Sequence, residues 1–295
     1  MSLQFIMGNS GSGKSYCLYD TVVREAIENP DKNYLVIVPE QFTMQTQKDL
    51  CLAHPKGGIM NIDVLSFGRL AYRVFEEVGQ DARVVLDDEG KNLVLRKIAG
   101  ECEKDLKVFK GNLKKQGYIS EVKSVLSEFA QYGVDFERLD DFMKEVPPES
   151  YLHYKLDDIR TIYEKFEEYL SEKYITKEEM LDVLSDAVPY SDILKGSVVA
   201  MDGFTGFTPV QNRLIGELFS VCEKVMITVT MDGRENPYVY EHPYQIFALG
   251  KQMVTSLMKI AGEKKTEIEE PICLFERPVY RFRDCSEMAF LETEL

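Results

Sequence analysis

The sequence predicts an α/β protein in which a parallel sheet carries a phosphate-binding loop and is interrupted by an all-helical insertion. Three observations support this. A short apolar run at the N-terminus leads into Gly8-Asn9-Ser10-Gly11-Ser12-Gly13-Lys14-Ser15, which fits the pattern G-x-x-x-x-G-K-[ST]. Short apolar segments alternate with helical stretches up to Leu65, and the alternation resumes near residue 190. Between these regions the apolar residues recur only at helical spacing.

Leu3–Met7, Tyr34–Val38 and Ile62–Leu65 are each short, apolar and rich in β-branched or aromatic residues, so each reads as a buried strand. Helical stretches separate them, from Lys14 to about Ile27 and from Thr43 to about Ala53. Strands joined by helices of this length imply crossover connections and hence a parallel sheet. From about Leu86 to Leu184 the pattern is helical, as in Ile159-x-x-Ile162-Tyr163-x-x-Phe166, and no strand is expected. Pro147-Pro148 punctuates this block and Pro189 closes it. Val198–Met201 and Val225–Thr230 then read as strands flanking a helix near Pro209–Phe219. Tyr244–Ala261 reads as a helix and Pro278–Phe282 as a last strand-like run. Glu287–Leu295 has a helical pattern with no capping signal, so the C-terminal end reads as truncated. The expected organisation is a discontinuous core over residues 1–85 and 190–295, with a helical subdomain over 86–189.

The hydrophobic fraction of 44% and charged fraction of 29% are those of an ordinary globular protein. No apolar run approaches the roughly 20 residues that span a bilayer, and no secretory signal is evident, so no membrane role and a cytoplasmic location are expected. The six cysteines and three histidines are too scattered for a zinc or redox motif and read as reduced thiols and isolated imidazoles. A net charge of −15 argues against a surface coated for nucleic-acid binding, yet leaves room for a local basic groove. Lys91–Lys123 carries nine Lys or Arg against four acids, whereas Asp135–Asp182 is strongly acidic. Such a run is read either as a solvated helix face or as a basic groove.

The loop Gly8–Ser15 has chemistry suited to a nucleoside triphosphate. Its glycines let backbone N–H groups converge on phosphates, and the following helix adds the positive end of its dipole. Lys14 would reach the β- and γ-phosphates, and the Ser15 hydroxyl would ligate Mg²⁺. A carboxylate at the end of a neighbouring strand is also needed, and Asp202 after Val198–Met201 has that form. Hydrolysis further requires a group that orients water, commonly a Glu directly after the Asp. Here Gly203 follows, so that role is unfilled and no catalytic residue is assigned.

Four stretches occur in one order: Gly8–Ser15, Val36-Ile37-Val38-Pro39-Glu40-Gln41, Val64-Leu65-Ser66-Phe67-Gly68-Arg69-Leu70-Ala71, and Met201-Asp202-Gly203-Phe204-Thr205-Gly206-Phe207-Thr208-Pro209-Val210-Gln211. Together they resemble the N-terminal part of the AddB family, one of the two components of bacterial AddAB helicase–nucleases, and are similar to superfamily I helicases whose later motifs have decayed. The resemblance covers essentially the whole chain. It implies a RecA-like P-loop core with the helical subdomain inserted after the third strand. It also implies ATP and Mg²⁺ as cofactors, DNA and an AddA-type helicase–nuclease chain as partners, and a role in resecting double-strand DNA ends for recombinational repair. The family's nuclease domain and 4Fe–4S cluster lie far C-terminal in a longer protein, and nothing here matches them. A working helicase would carry Asp-Glu at Asp202-Gly203, and a Gly-Asp-x-x-Gln sensor where this chain has Met231-Asp232-Gly233-Arg234. Both departures imply a module that binds nucleotide without acting as a motor.

By position within that family, Ser66, Phe67, Lys107, Lys110, Lys114 and Lys115 are the candidates for DNA contact. Phe67 would stack on a base, although an aromatic directly after a strand also suits a core. Two other readings stay open: a P-loop kinase whose helical block is a lid, and a DNA-binding scaffold with a vestigial loop. A kinase lid should supply clustered arginines, and Arg96, Arg138 and Arg160 are widely spaced.

Overall fold

The computed structural model describes residues 1–79, 84–112, 115–170 and 173–294. The chain forms two compact units. One comprises Met1–Gly79, Leu184–Phe207 and Gln211–Leu295, and the other Gln80–Val183 with Thr208–Val210.

The first unit is built on β1 (Ser2–Gly8), β2 (Tyr34–Ile37) and β3 (Ile62–Leu65), with α1 (Lys14–Glu28), α2 (Thr43–Ala53) and α3 (Phe67–Val78) between and after them. The second contributes β4 (Val84–Leu86) and β5 (Tyr174–Thr176) to a separate pair. The first unit resumes with β6 (Val198–Met201), β7 (Lys224–Thr230), β8 (Glu267–Ile268) and β9 (Ile272–Leu274). Its sheet runs β3-β2-β6-β7-β1-β8, with β9 also on β1, and its ladders are parallel.

Burial explains why these segments read as continuous apolar runs: every residue of β2 and β6 is buried, as expected for parallel strands covered on both faces. On one face α1 lays Leu18, Tyr19, Val22, Val23 and Ala26 against Ile6, Val36, Ala200 and Met226. This is the helical stripe of one turn and its successors. Later helices α9 (Pro209–Val221) and α10 (Ala248–Lys264) bury Leu214, Leu218, Val254 and Leu257, and α10 packs on β7 and β8.

β8 and β9 meet the same edge of β1 in succession, at Ser2–Leu3 and at Ile6–Gly8. They form one edge strand broken over Glu269-Glu270-Pro271, because Pro271 has no N–H to give the ladder. These pieces of two and three residues are too short for a periodic signal, and the sequence alone does not reveal them. The expected strand at Pro278–Phe282 is instead a 3₁₀ turn over Tyr280–Phe282, closed by Phe282 N–H to the Val279 carbonyl at 2.8 Å. Val279 is buried and anchors the turn, so the apolar run reflects that anchor rather than extended pairing. The helix expected from Tyr244 begins at Ala248, and a final helix, α11, spans Ser286–Glu294.

In the second unit the helices are α4 (Asp88–Glu101), α5 (Gln116–Tyr132), α6 (Phe136–Glu145), α7 (Tyr151–Leu170) and the start of α8 (Glu179–Ala187). Asp87 and Asp135 cap α4 and α6 by accepting from Gly90 N–H at 2.7 Å and Arg138 N–H at 2.9 Å. The core joins Leu95, Ile98, Phe109, Ile119, Leu126, Ile159, Ile162 and Phe166. The expectation of an all-helical insertion is corrected here: β4 and β5 pair in parallel, Val84 with Tyr174 through Leu86 with Thr176. Tyr174–Thr176 is too short to show alternation, and its partner strand lies some ninety residues earlier, so local periodicity could not reveal it.

Candidate nucleotide site

β1 ends at Gly8, in register with Thr230 of β7, so the loop emerges at the carboxyl ends of the strands, where open parallel sheets place their ligand sites. Gly13 precedes α1 with φ 96°, a left-handed conformation that a glycine takes at little cost. It caps the helix with no side chain, so the first-turn amides of α1 face the loop. Ser12 N–H closes a turn onto the Asn9 carbonyl at 3.1 Å.

Lys14 folds back across this turn and donates to the carbonyls of Gly8 at 3.0 Å and Asn9 at 2.8 Å. Burial lowers its pKa to about 8; the field of Asp202 opposes that fall, while the Arg281 guanidinium adds to it. The Ser12 hydroxyl is buried without a partner. A desolvated ammonium, a second cation and an orphan hydroxyl around uncapped amides fit an anionic phosphate chain. A cleft of about 360 Å³ opens here, lined by Gly11, Gly13, Lys14, Ser15, Tyr16, Tyr280 and Arg281.

Asp202 directly follows β6, which is separated from β1 by β7, a distance of about 10 Å at normal strand spacing. The residue is buried. Its Oδ1 accepts from the Thr228 hydroxyl at 2.6 Å and its Oδ2 from the Tyr19 phenol at 2.7 Å. Burial and the neighbouring Asp202 carboxylate push the Tyr19 hydroxyl well above its ordinary pKa, so it stays a donor. Ser15 is exposed at the start of α1. The donor set of one exposed hydroxyl and one carboxylate suits Mg²⁺ held largely through water. Gly203 follows with φ 78°, and the nearest neighbours of a Cβ there would be Pro39 and Phe42 at 3.5 and 3.7 Å, ordinary contact distances. Backbone conformation, more than space, favours glycine where a hydrolase would carry Glu.

Beyond β7, Asp232 is held by two guanidiniums. Arg234 donates through Nε at 3.0 Å and Nη2 at 2.9 Å, and Arg277 through Nη2 at 2.9 Å. The Arg234 hydrogen bond brings its pKa down to about 2 against the opposing effect of burial. Asn9 of the loop donates to the same carboxylate at 3.3 Å and to Glu292 of α11 at 2.8 Å. Sequence reasoning missed Tyr19, Thr228, Arg277 and Arg281. Tyr19 and Thr228 look like ordinary core positions, and the two arginines lie more than 260 residues from the loop.

The candidates for DNA contact have varied placements. Ser66 is the buried N-cap of α3, accepting from Arg69 N–H at 3.4 Å. Phe67 packs in a three-ring cluster, 5.4 Å from Phe204 and 6.3 Å from Phe207. Lys107 pairs with Asp157 at 2.9 Å and lies over the Tyr154 ring; Lys110 is exposed; Lys115 donates to Asn112 at 3.3 Å. Lys114 lies outside the described residues. The loop holding Lys107 is fixed by buried Asp158, whose oxygens accept from the N–H groups of Lys107, Val108 and Phe109 at 2.8, 2.7 and 2.8 Å. Lys91, from the same basic stretch, is turned inward onto Glu178 at 2.6 Å. The six cysteines are free thiols. Among the described residues no cluster of three or more metal-binding side chains occurs, and no helix is long and apolar enough to cross a membrane.

Comparison with known proteins identifies the family of the chain. Residues 5–292 match the family described as "ADDB, N-terminal". The chain is 44% identical over its whole length to a protein of Lachnoclostridium phytofermentans, and covers 26% of that protein. It is 35% identical to one of Clostridium acetobutylicum and 34% identical to one of Clostridium tetani, covering 25% and 26% of them. All three bear the name of a subunit of an ATP-dependent helicase/deoxyribonuclease. The chain thus spans about a quarter of the length of the curated relatives it matches. A match over nearly every residue, with full-length identity of this order, places the chain in the AddB N-terminal family.

Proposed function

We propose that this chain is the nucleotide-binding, helicase-like module of an AddB-type protein acting in the resection of double-strand DNA ends, and that it binds ATP–Mg²⁺ without driving translocation. The carrying observation is the loop Gly8–Ser15, with Lys14 drawn across it beside uncapped helix amides. The strand order β3-β2-β6-β7-β1, with the loop on β1 and the carboxylate after β6, supports a RecA-like core. Lys14 and the loop amides would bind the phosphates, Ser15 would ligate the metal, and Asp202 would act on it through water. The metal would neutralise phosphate charge. Gly203 leaves the water-orienting position without a carboxylate, and Asp232 is committed to two guanidiniums. A motor cycle lacks its hydrolytic half.

Within the whole protein the partners would be an AddA-type helicase–nuclease chain and DNA, with the exposed Lys107, Lys110 and Lys115 as the DNA-facing candidates. Any iron–sulfur cluster would belong to the remainder of such a protein. A kinase lid is poorly served by Arg160, which is bonded to Asp140, and by Arg138, which is bonded to the Gly133 carbonyl.

The test is ATP–Mg²⁺ binding and DNA-stimulated hydrolysis measured on one sample, with Lys14→Ala in parallel. Binding that Lys14→Ala abolishes, with no motor-rate hydrolysis, is expected. Hydrolysis at motor rates would refute the non-motor reading, and absence of binding would leave a scaffold with a vestigial loop.

A further inference from the structure

We propose that Tyr19, backed by the Thr46 hydroxyl, is a positioning residue for the metal: it fixes the Asp202 carboxylate in the orientation that accepts water bound to Mg²⁺. This rests on the nucleotide reading above. Asp202 follows β6, and β7 lies between that strand and β1, so the carboxylate stands at a strand end that the loop does not adjoin. Tyr19 bridges the gap. It lies four residues after Ser15 on α1, hence on the same helix face, and side chains on a helix lean back toward its N-terminus. Its phenol ends on Asp202 Oδ2 at 2.7 Å. The helix that brings the Ser15 hydroxyl thus also brings the group that holds the carboxylate.

The last torsion of an Asp side chain is broad, so the residue does not by itself fix the plane of its carboxylate. Here donors on both oxygens do. Thr228 of β7 donates to Oδ1 at 2.6 Å, and Tyr19 to Oδ2. A carboxylate only accepts, so both hydroxyls must point their protons at Asp202. The Tyr19 oxygen is then left as an acceptor, and the Thr46 hydroxyl of α2, 3.2 Å away, is the donor of that pair. Three hydroxyls from α1, α2 and β7 are ordered toward one carboxylate.

Tyr19, Thr46, Thr228 and Asp202 are all buried, so water is a poor substitute for any one of them. A carboxylate accepts about four hydrogen bonds and two are taken, which leaves capacity for water held by a metal. The charge of Asp202 already reaches the loop, since its field acts on Lys14. Groups that orient a metal's ligands from behind typically change metal affinity by about 10–100-fold when they are removed. Tyr19 stands in that relation to Asp202, and Thr46 one bond further back.

A core tyrosine with a satisfied hydroxyl is the competing account, because a buried phenol takes a partner in any fold. That role would move stability and leave the metal dependence of binding unchanged. Calorimetric titrations of the full chain with ATP, in Mg²⁺ and in EDTA, separate the two, using wild type, Tyr19→Phe, Thr46→Val, Thr46→Ser and Lys14→Ala. In Tyr19→Phe the affinity for ATP in Mg²⁺ should fall by about tenfold, with affinity in EDTA within about threefold of wild type. Thr46→Val should show a smaller loss of the same metal-specific kind, and Thr46→Ser, which keeps the hydroxyl, should match wild type. If Tyr19→Phe does not fold, Thr46→Val decides the matter. Equal losses in Mg²⁺ and EDTA, or no loss in either, would overturn the positioning role while leaving the nucleotide site intact. So would a wild type whose ATP affinity is the same with and without Mg²⁺. Failure of the wild type to bind ATP, or indifference of binding to Lys14→Ala, would overturn the nucleotide reading and the role of Tyr19 with it.

Discussion

Removing the carboxylate of Asp158 should unfasten the basic loop of the second unit. Its side chain is almost fully buried on α7 and receives three consecutive N–H groups, at Lys107, Val108 and Phe109. In Asp158→Ala the Phe109 amide is left in a buried place, costing about 2 kcal/mol, and the two part-buried amides about 1 kcal/mol each, because water can partly replace the lost acceptor. The sum is about 4 kcal/mol. For a unit of this size that corresponds to a fall in melting temperature of about 15–30 °C. Differential scanning calorimetry gives the loss, and hydrogen exchange at residues 107–109 locates it, since those amides should become fast exchangers. A variant that loses less than about 1 kcal/mol, or keeps its amides protected, would show that the carboxylate does not hold the loop.

Other predictions concern the first unit and the pH response. Tyr19→Phe deprives buried Asp202 Oδ2 of its donor and should cost about 2 kcal/mol in chemical denaturation; an unchanged midpoint would contradict the bond. Gly203→Glu forces a side chain into a left-handed conformation, so it should lower stability by about 1–2 kcal/mol without restoring DNA-stimulated hydrolysis. A gain of hydrolysis would show that Glu alone was missing. Burial, with Glu179 adding to it, raises the Glu167 pKa to about 7 from the ordinary 4.5. The folded state thus favours the neutral acid, so this contribution is complete below pH 4.5 and is lost as pH rises through about 7. Stability of the second unit should fall by about 1–2 kcal/mol across that window, and Glu167→Gln should flatten the slope in thermal melts.

Legibility of the sequence followed the range of the forces involved. The strands of the first unit show as apolar runs because both faces of each are covered, and Val198–Met201 and Ile62–Leu65 have the same limits in sequence and structure. The loop is legible because its chemistry lies within eight consecutive residues. Tyr174–Thr176 is invisible because a three-residue strand has no period, and the broken edge at Glu267–Leu274 for the same reason. Of the site, Lys14, Ser15 and Asp202 can be named from motif and strand-end position. The hydroxyls that hold Asp202 are supplied by a helix and a strand whose residues look like common core, and the arginines are brought by the far end of the chain. Such pairings have no local signature.

The broken edge strand has a consequence for how this protein behaves in company. A parallel sheet that ended on a long, flat, unpaired strand would offer a row of free N–H and C=O groups as a template for other chains. Here that side is closed by two short pieces, with two acids and a proline between them, and Glu269 is further tied to Lys224 at 2.9 Å. An incoming strand would find the ladder interrupted and negatively charged within a few residues. The same break that leaves this edge without a periodic signal gives the sheet a margin that resists growth by strand addition.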